Sequence, residues 1–257
     1  MNLAPGLLAR ALELSIEDLA KRNLLPVNVA VLDSGIDGSH PDLSGRLLRS
    51  AIFEADADGN VATRESDPAA NNDLYGHGTG VVSIIARIAP NARFIDIRVL
   101  GGNNRGSGEA LIEGFDHAVR SEARVLNMSL AASEKYVDRM GVIAERAYRK
   151  GQVVVAARRN MPLADEGFPA ALIPCIGVDN EGAGPEARWR YRDDVIEYAA
   201  HGVDVPVAAH GGGYTTMTGT SFATPIMAGF VCLLLGAHPG LRPFEVKAVL
   251  KAMAAAV

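Results

Sequence analysis

The sequence predicts an α/β fold in which helices lie on both faces of a doubly wound, mostly parallel central sheet. Short apolar segments bounded by Gly, Pro or Asn alternate with longer segments whose apolar residues recur at helical spacing. Such short apolar segments are typical of parallel strands buried on both faces, and their alternation with helices is typical of doubly wound sheets. A chain of 257 residues, 48% of them hydrophobic, is long enough to bury one large core.

Five segments are predicted to be buried parallel strands: residues 29–32, 93–100, 124–128, 153–157 and 173–178. Helices are predicted over residues 83–88, 108–121, 135–150 and 244–255, and a strongly apolar helix is predicted after Ser221, over residues 226–234. The apolar residues of segment 5–23 also show helical spacing. We therefore expect a short helical N-terminal extension, residues 1–25, laid against one main domain, residues 26–257.

Charge and composition argue against two classes of partner. The net charge is −5, and the chain has no basic stripe with interleaved aromatic residues, so no nucleic-acid surface is expected. Charged residues interrupt the leucines of the first 25 residues, which is unlike a secretory signal. The longest apolar stretch, residues 226–237, is too short to cross a bilayer, so no membrane span is expected.

The two cysteines, Cys175 and Cys232, lie in apolar segments. We expect both to be buried as small hydrophobic side chains rather than joined in a disulfide. Such cysteines fit a reducing compartment, so the sequence predicts a cytoplasmic location; an excised catalytic domain of a secreted or larger protein is the alternative.

Three polar residues occupy positions at which catalytic groups are often displayed. Asp33 ends an apolar strand, and sites in open α/β sheets lie at the carboxyl ends of strands. His77 lies between two glycines that open an apolar helical segment. Ser221 lies in Gly-Thr-Ser-Phe-Ala-Thr-Pro, at the start of an apolar helix whose first N–H groups favour negative charge. Any one of them could be structural, for example as a turn former or a helix cap, but the ordered set favours catalysis.

The three motifs resemble the Asp-Ser-Gly, His-Gly-Thr and Gly-Thr-Ser-x-Ala-x-Pro motifs of the subtilases, the subtilisin-like serine peptidases, and the resemblance extends over residues 26–257. Chymotrypsin-like enzymes and α/β-hydrolases have their triad residues in other chain orders. The resemblance implies a catalytic domain with serine endopeptidase activity on extended peptides or proteins. In it, Ser221 is the nucleophile, His77 is the general base, and Asp33 orients the imidazole. The other five histidines are expected to be structural.

The resemblance also implies an oxyanion donor. In the family an Asn follows a strand that ends Ala-Ala-x-Gly-Asn, and here Asn160 has that position. Arg159, preceded by Arg158, stands where the family pattern has Gly. Three outcomes are open for Arg159: a displaced loop, a guanidinium pointing away, or a side chain that lines the pocket for the residue before the scissile bond.

Segments 100–108 and 127–131 resemble the strands with which subtilases pair an extended substrate. Segment 167–169 resembles the base of the specificity pocket, where the family often has a cis proline. The backbones of such strands would hold the substrate as an added β-strand. The glycines of the first segment could instead form a simple turn. The substrate-binding residues implied by the resemblance are Gly106, Ser107, Gly108, Ser129, Leu130, Ala131, Ala157 and Gly167.

No cofactor and no metal site are expected. Many subtilases have a calcium loop that interrupts the helix after the catalytic His, whereas this sequence continues without interruption from Gly78 to Ile88. The acidic segment 54–60 lacks the spacing of an EF-hand and is predicted to be a surface turn. Two alternative functions remain: a degenerate subtilase that binds peptides or proteins without cutting them, and an esterase or transacylase with the same triad.

Overall fold

The computed structural model describes residues 16–161, 166–182, 184 and 188–254. Its helices are α1 (Ile16–Ala20), α2 (His77–Ile88), α3 (Gly108–Arg120), α4 (Val137–Lys150), α5 (Thr220–Ala237) and α6 (Pro243–Ala254). Its strands are β1 (Val27–Asp33), β2 (Leu47–Ala55), β3 (Val61–Ser66), β4 (Ala92–Arg98), β5 (Val125–Met128), β6 (Val153–Ala157), β7 (Cys175–Asn180), β8 (Trp189–Tyr191), β9 (Tyr198–Ala200), β10 (Val205–Ala208) and β11 (Tyr214–Met217). Residues 1–15 of the predicted N-terminal extension lie outside the described residues; α1 contributes the fully buried Leu19 to the core.

Within the described residues, nine strands form one sheet in the order β3-β2-β4-β1-β5-β6-β7-β9-β8. All neighbouring strands are parallel except the edge pairs β2–β3 and β8–β9, and β10 and β11 form a separate antiparallel pair. The chain places β2 and β4 on one side of β1 and then β5, β6 and β7 on the other. The direction of sheet building therefore reverses at β1, and the predicted doubly wound α/β fold is confirmed.

Side chains of β1 alternate between two cores. Val29 and Val31 pack in the core that also contains the buried residues of α2 and α5, whereas Ala30 and Leu32 pack in the core that contains those of α3 and α4. Both faces of the central strands are thus covered by helices. This explains why these strands are continuously apolar in the sequence.

The five strands predicted from the sequence are the five central ones, β4, β1, β5, β6 and β7. The prediction omitted β2, β3, β8, β9, β10 and β11. The side chains of β3 are mostly exposed, and β8 and β9 have only three residues each, so these edge strands have no continuous apolar run to reveal them. Residues 56–60 form the exposed tip of the β2–β3 hairpin, in agreement with the predicted surface turn.

Helix α5 is longer than the apolar stretch identified in the sequence. By length and composition alone its 18 residues, with a mean hydropathy of 1.7, could cross a membrane, but 89% of them are buried inside the protein. Such burial is typical of a core helix. Cys232 in α5 and Cys175 in β7 are both buried and free.

Candidate active site

The carboxyl end of β1 places Asp33 at the reversal point of the sheet, where it contacts the first residue of α2. His77 Nδ1 lies 2.7 Å from Asp33 Oδ1, and the same oxygen accepts the N–H of Ser34 at 2.7 Å. Asp33 is fully buried and His77 is 7% exposed. A Cβ on Gly78 would lie 2.1 Å from the backbone oxygen of Gly35, so only glycine allows the helix to begin this close to the strand.

The pKa of His77 is raised above 6.5, the usual value for histidine. Burial by itself would lower this pKa, but the charge and the hydrogen bond of Asp33, together with the charge of Asp73, outweigh burial. The site therefore favours the protonated imidazole that would form when His77 accepts a proton.

Asp73, which the sequence analysis did not single out, joins the end of β1 to the first turn of α2. Its Oδ1 accepts hydrogen bonds from Ser34 Oγ at 2.8 Å, from Tyr75 N at 3.0 Å and from Gly76 N at 2.7 Å. Its Oδ2 accepts from the backbone N and the Oγ1 of Thr79 at 2.9 and 2.5 Å. This carboxylate thereby fixes the two elements that carry the His–Asp pair. The sequence signal that could have identified Asp73 was the Asn-Asn-Asp segment just before the His motif.

Ser221 is the second residue of α5 and forms a reciprocal pair with Ser129. Ser221 Oγ donates to the backbone oxygen of Ser129 at 3.0 Å, and Ser129 Oγ donates to the backbone oxygen of Ser221 at 2.9 Å. The second bond compensates for Pro225, which has no N–H to donate to the carbonyl four residues earlier. Within the described part of the chain, Ser221 Oγ therefore donates to Ser129 and not to His77.

A cavity of about 310 Å³ nevertheless brings the predicted catalytic residues together, since His77, Asn160 and Ser221 all line it. The Oδ1 of Asn160 accepts the backbone N–H of Thr220 at 3.2 Å, whereas the Thr220 hydroxyl donates to the backbone oxygen of Arg158 at 2.7 Å. Because its oxygen is engaged in this way, the amide presents its Nδ2 group as a donor. A Cβ on Gly219, which lines the same cavity, would lie 3.6 Å from that Nδ2.

A second cavity, of about 450 Å³, also reaches Ser221 and lies between the two predicted peptide-binding segments. The predicted substrate-binding residues that line it are Gly106, Ser107, Gly108, Ser129, Leu130 and Ala131. Ser107 also caps α3, because its Oγ accepts the N–H of Ala110 at 3.0 Å. Ala157 is buried at the end of β6, and Gly167 lies beside Ala131.

The two arginines before Asn160 point in different directions. Arg158 pairs with Asp179 at 3.1 Å. Arg159 donates from its guanidinium to the backbone oxygen of Ala132 and lies against Gly167, whose peptide segment includes a cis Phe168–Pro169 bond, as the resemblance implied. The structure thus places the Arg159 side chain beside Ala132 and Gly167, and a role in a specificity pocket stays a prediction.

The described residues contain no group of three or more His, Cys, Asp or Glu side chains that could hold a metal. Helix α2 continues from His77 to Ile88 at the point where many subtilases have a calcium loop. At the tip of the β2–β3 hairpin, the carboxylate of Asp56 accepts the N–H groups of Asp58 and Asn60, each at 2.9 Å, and the side-chain amide of Asn60 at 3.0 Å. These oxygens face hydrogen-bond donors and do not fit a calcium site.

We expect EDTA to leave the melting temperature of the protein unchanged, because a metal bound only to the native state would stabilise it by RT ln(1 + [L]/Kd) and no set among the described residues fits one. Calorimetric scans with EDTA, with calcium and with neither check this expectation. A fall in Tm with EDTA that calcium reverses would contradict it.

Comparisons with known proteins were consistent with one another: the family match and the similar proteins all belong to one group of serine proteases. Residues 26–257 match the Subtilase family. The chain is 30% identical over 223 residues to the "Intracellular serine protease" of Paenibacillus polymyxa, an alignment that covers 81% of this chain and 66% of that protein. It is 31% identical over 225 residues to the "Major intracellular serine protease" of Bacillus subtilis (strain 168), covering 81% and 68%. It is also 31% identical over 233 residues to the "Thermophilic serine proteinase" of Bacillus sp. (strain AK1), covering 85% and 54%.

Among solved structures, that of a cold-adapted subtilisin-like serine proteinase aligns with a TM-score of 0.73 at 26% identity and covers 91% of this chain and 84% of that one. Sphericase aligns with the same TM-score of 0.73 at 24% identity, covering 92% and 88%, which supports the fold. The chain spans only 54% to 68% of the length of the three curated relatives described above. The family match nevertheless extends over the whole sheet and both cavities, and the chain belongs to the Subtilase family.

Proposed function

We propose that this protein is a serine endopeptidase that hydrolyses peptide bonds through an acyl-enzyme intermediate, with Asp33, His77 and Ser221 as its triad. The observation that carries the proposal is the buried His77–Asp33 contact of 2.7 Å beside a cavity that Ser221 also lines. Membership of the Subtilase family and relatives named as serine proteases support it.

In the proposed mechanism, His77 Nε2 takes the proton of Ser221 Oγ while that oxygen attacks the peptide carbonyl carbon. The resulting imidazolium keeps its Nδ1–H bond to Asp33. It then gives its proton to the leaving amine as the C–N bond breaks. Water then attacks the acyl carbon while His77 accepts its proton; the ester C–O bond to Ser221 breaks, His77 returns the proton to Ser221 Oγ, and the carboxylic acid product leaves.

The first step requires Ser221 Oγ to leave Ser129. A rotation about the Cα–Cβ bond of Ser221 redirects the hydroxyl from the Ser129 oxygen towards the cavity that His77 lines. The exchanged hydrogen bond is worth about 1 kcal/mol, which substrate binding can offset. Catalytic hydrogen bonds often become short and well aligned only once the substrate is bound.

The negative charge of the tetrahedral intermediate would be held by two donors, Asn160 Nδ2 and the backbone N–H of Ser221. The amino end of α5 adds the partial positive charge of the helix dipole. The substrate would lie as an extended strand between segments 106–108 and 129–131, in the cavity of about 450 Å³.

We further propose that residues 26–257 form the catalytic domain, that residues 1–25 form a short extension, and that the protein acts in the cytoplasm. The free, buried Cys175 and Cys232 support a reducing compartment, and two relatives carry the word intracellular in their names.

Labelling with a fluorophosphonate, followed by peptide mapping and peptide turnover, tests the proposed function. We expect the label on Ser221 and cleavage within peptides. A label on Ser221 with hydrolysis of esters alone would favour the esterase or transacylase alternative. A folded protein without any label would favour a binding module.

The pKa of His77 predicts how activity depends on pH. Only neutral His77 can accept the serine proton, so we expect kcat/KM to rise with pH through an apparent pKa above 6.5. Asp73→Asn removes a negative charge that raises this pKa, so the midpoint should move to lower pH. Profiles of kcat/KM and NMR titration of His77 in the Ser221→Ala background measure both shifts.

The matched control is Asp56→Asn, which removes an exposed carboxylate at the β2–β3 hairpin tip and should leave the midpoint unchanged. A merely structural Asp73 would lower stability without moving the midpoint. An unchanged or higher midpoint in folded Asp73→Asn would therefore refute the inference that the charge of Asp73 raises the pKa of His77.

A further inference from the structure

We propose that Arg159 closes the cleft for the side chain that precedes the scissile bond, so that the enzyme selects glycine, alanine or serine at that position. This inference rests on the proposed endopeptidase function and names the class of peptide it cleaves.

The location of the cleft follows from the catalytic groups. In the proposed mechanism, Ser221 Oγ bonds to the carbonyl carbon and the carbonyl oxygen faces Asn160. Ser221 contacts Ser129, which follows β5, and shares a cavity with Asn160, which follows β6, so the adjacent side chain would point between these two segments. Strands β5 and β6 are parallel neighbours, so the segments at their carboxyl ends lie side by side and would form the two walls of the proposed cleft. One wall is segment 129–132 and the other is segment 157–159.

Arg159 crosses this cleft from one wall to the other. Its guanidinium donates to the backbone oxygen of Ala132, and its backbone N–H donates to the oxygen of Glu166 at 2.8 Å. At the base, a Cβ built on Gly167 would lie 2.8 Å from the Cβ of Ala131, 3.0 Å from the Cβ of Arg159 and 3.4 Å from its Nε. The Arg159 side chain therefore packs closely between the two walls and against the base.

Neighbouring contacts hold this arrangement in place. Ala132 and Phe168 form a β-bridge in which Ala132 N donates to Phe168 O at 2.8 Å, which ties one wall to the base. On the other wall, Arg158 N donates to Val178 O at 2.8 Å. A large side chain could enter only by displacing Arg159 and breaking its charge-assisted bond to Ala132.

A guanidinium in a specificity pocket could instead select an acidic residue. Here the guanidinium is already bonded to a backbone oxygen across the cleft, so an acidic side chain would have to replace that bond in order to pair with it. Arg159 therefore selects the residue before the scissile bond by the size of its side chain rather than by its charge.

Two substitutions separate size from charge. Arg159→Gly removes the obstruction, whereas Arg159→Met keeps most of the length and removes the charge. We would measure kcat/KM on matched peptides that differ only in having Ala, Phe or Glu before the scissile bond. We expect the parent enzyme to prefer Ala over Phe by about 10- to 200-fold, the range that pocket size alone can provide.

Arg159→Gly should reduce this ratio at least about tenfold by raising turnover of the Phe peptide. Arg159→Met should keep a higher ratio than Arg159→Gly, because it retains the length of the side chain while losing the bond to Ala132. Arg192→Ala is the control, since this arginine pairs with Asp179 at 2.7 Å. Circular dichroism and fluorophosphonate labelling of Ser221 establish that each variant is folded and has an active nucleophile.

Three results would overturn the inference: a parent enzyme that cleaves the Phe peptide as well as the Ala peptide, an unchanged ratio in Arg159→Gly, or a preference for Glu that Arg159→Met abolishes. In each of these, peptides are cleaved and only the role of Arg159 fails. Absence of both labelling and cleavage in the folded parent enzyme would refute the proposed function itself.

Discussion

Ser221→Ala is expected to lower kcat by about 10⁴-fold or more, because it removes the oxygen that attacks the peptide carbonyl. His77→Ala and Asp33→Asn should have losses of similar order, since one removes the proton acceptor and the other removes the carboxylate that orients it at 2.7 Å. Triad residues act as a unit, so the double variant Ser221→Ala/His77→Ala should be little worse than the more damaging single variant. Turnover of an activated peptide ester and of a peptide amide gives these losses.

The control for the triad variants is His117→Ala, which changes a half-buried histidine beside Phe53 and away from both cavities. It should keep parent turnover. Circular dichroism must show that Ser221→Ala is folded, and the loss of its hydrogen bond to Ser129 should cost about 1 kcal/mol of unfolding free energy. Full activity of folded Ser221→Ala would eliminate the proposed nucleophile.

Asn160→Ala is expected to lower kcat by about 10²- to 10³-fold with little change in KM, because its amide would donate to charge that exists only in the transition state. That magnitude was measured for the equivalent kind of donor in subtilisin, a member of the same family, and is not an independent derivation. Steady-state kinetics of Asn160→Ala beside Asn60→Ala, an exposed asparagine at the β2–β3 hairpin tip, provides the comparison.

A rise in KM without a fall in kcat would place Asn160 in substrate binding rather than in transition-state stabilisation. The variant also removes the oxygen that accepts the backbone N–H of Thr220. A thermal scan is therefore needed to separate a damaged α5 amino end from the loss of the donor.

The sequence by itself determined the central architecture. Strands buried on both faces must be apolar at consecutive positions, and β4, β1, β5, β6 and β7 were all predicted for that reason. It also indicated the triad candidates, because Asp33, His77 and Ser221 belong to short local motifs at a strand end and two helix starts. These signals depend only on residues close together in the chain.

Only the tertiary structure decided how distant segments meet. The Ser129–Ser221 pair joins residues 92 positions apart, and the Asp73–Ser34 bond joins residues 39 apart. Likewise, Arg159 crosses to Ala132 because β5 and β6 are neighbours in the sheet. No local pattern encodes these contacts, since each depends on strand order and on the packing of helices against the sheet. A sequence motif could therefore identify the catalytic residues. The width of the proposed cleft beside them depends on tertiary packing, because packing decides whether the Arg159 side chain lies inside it.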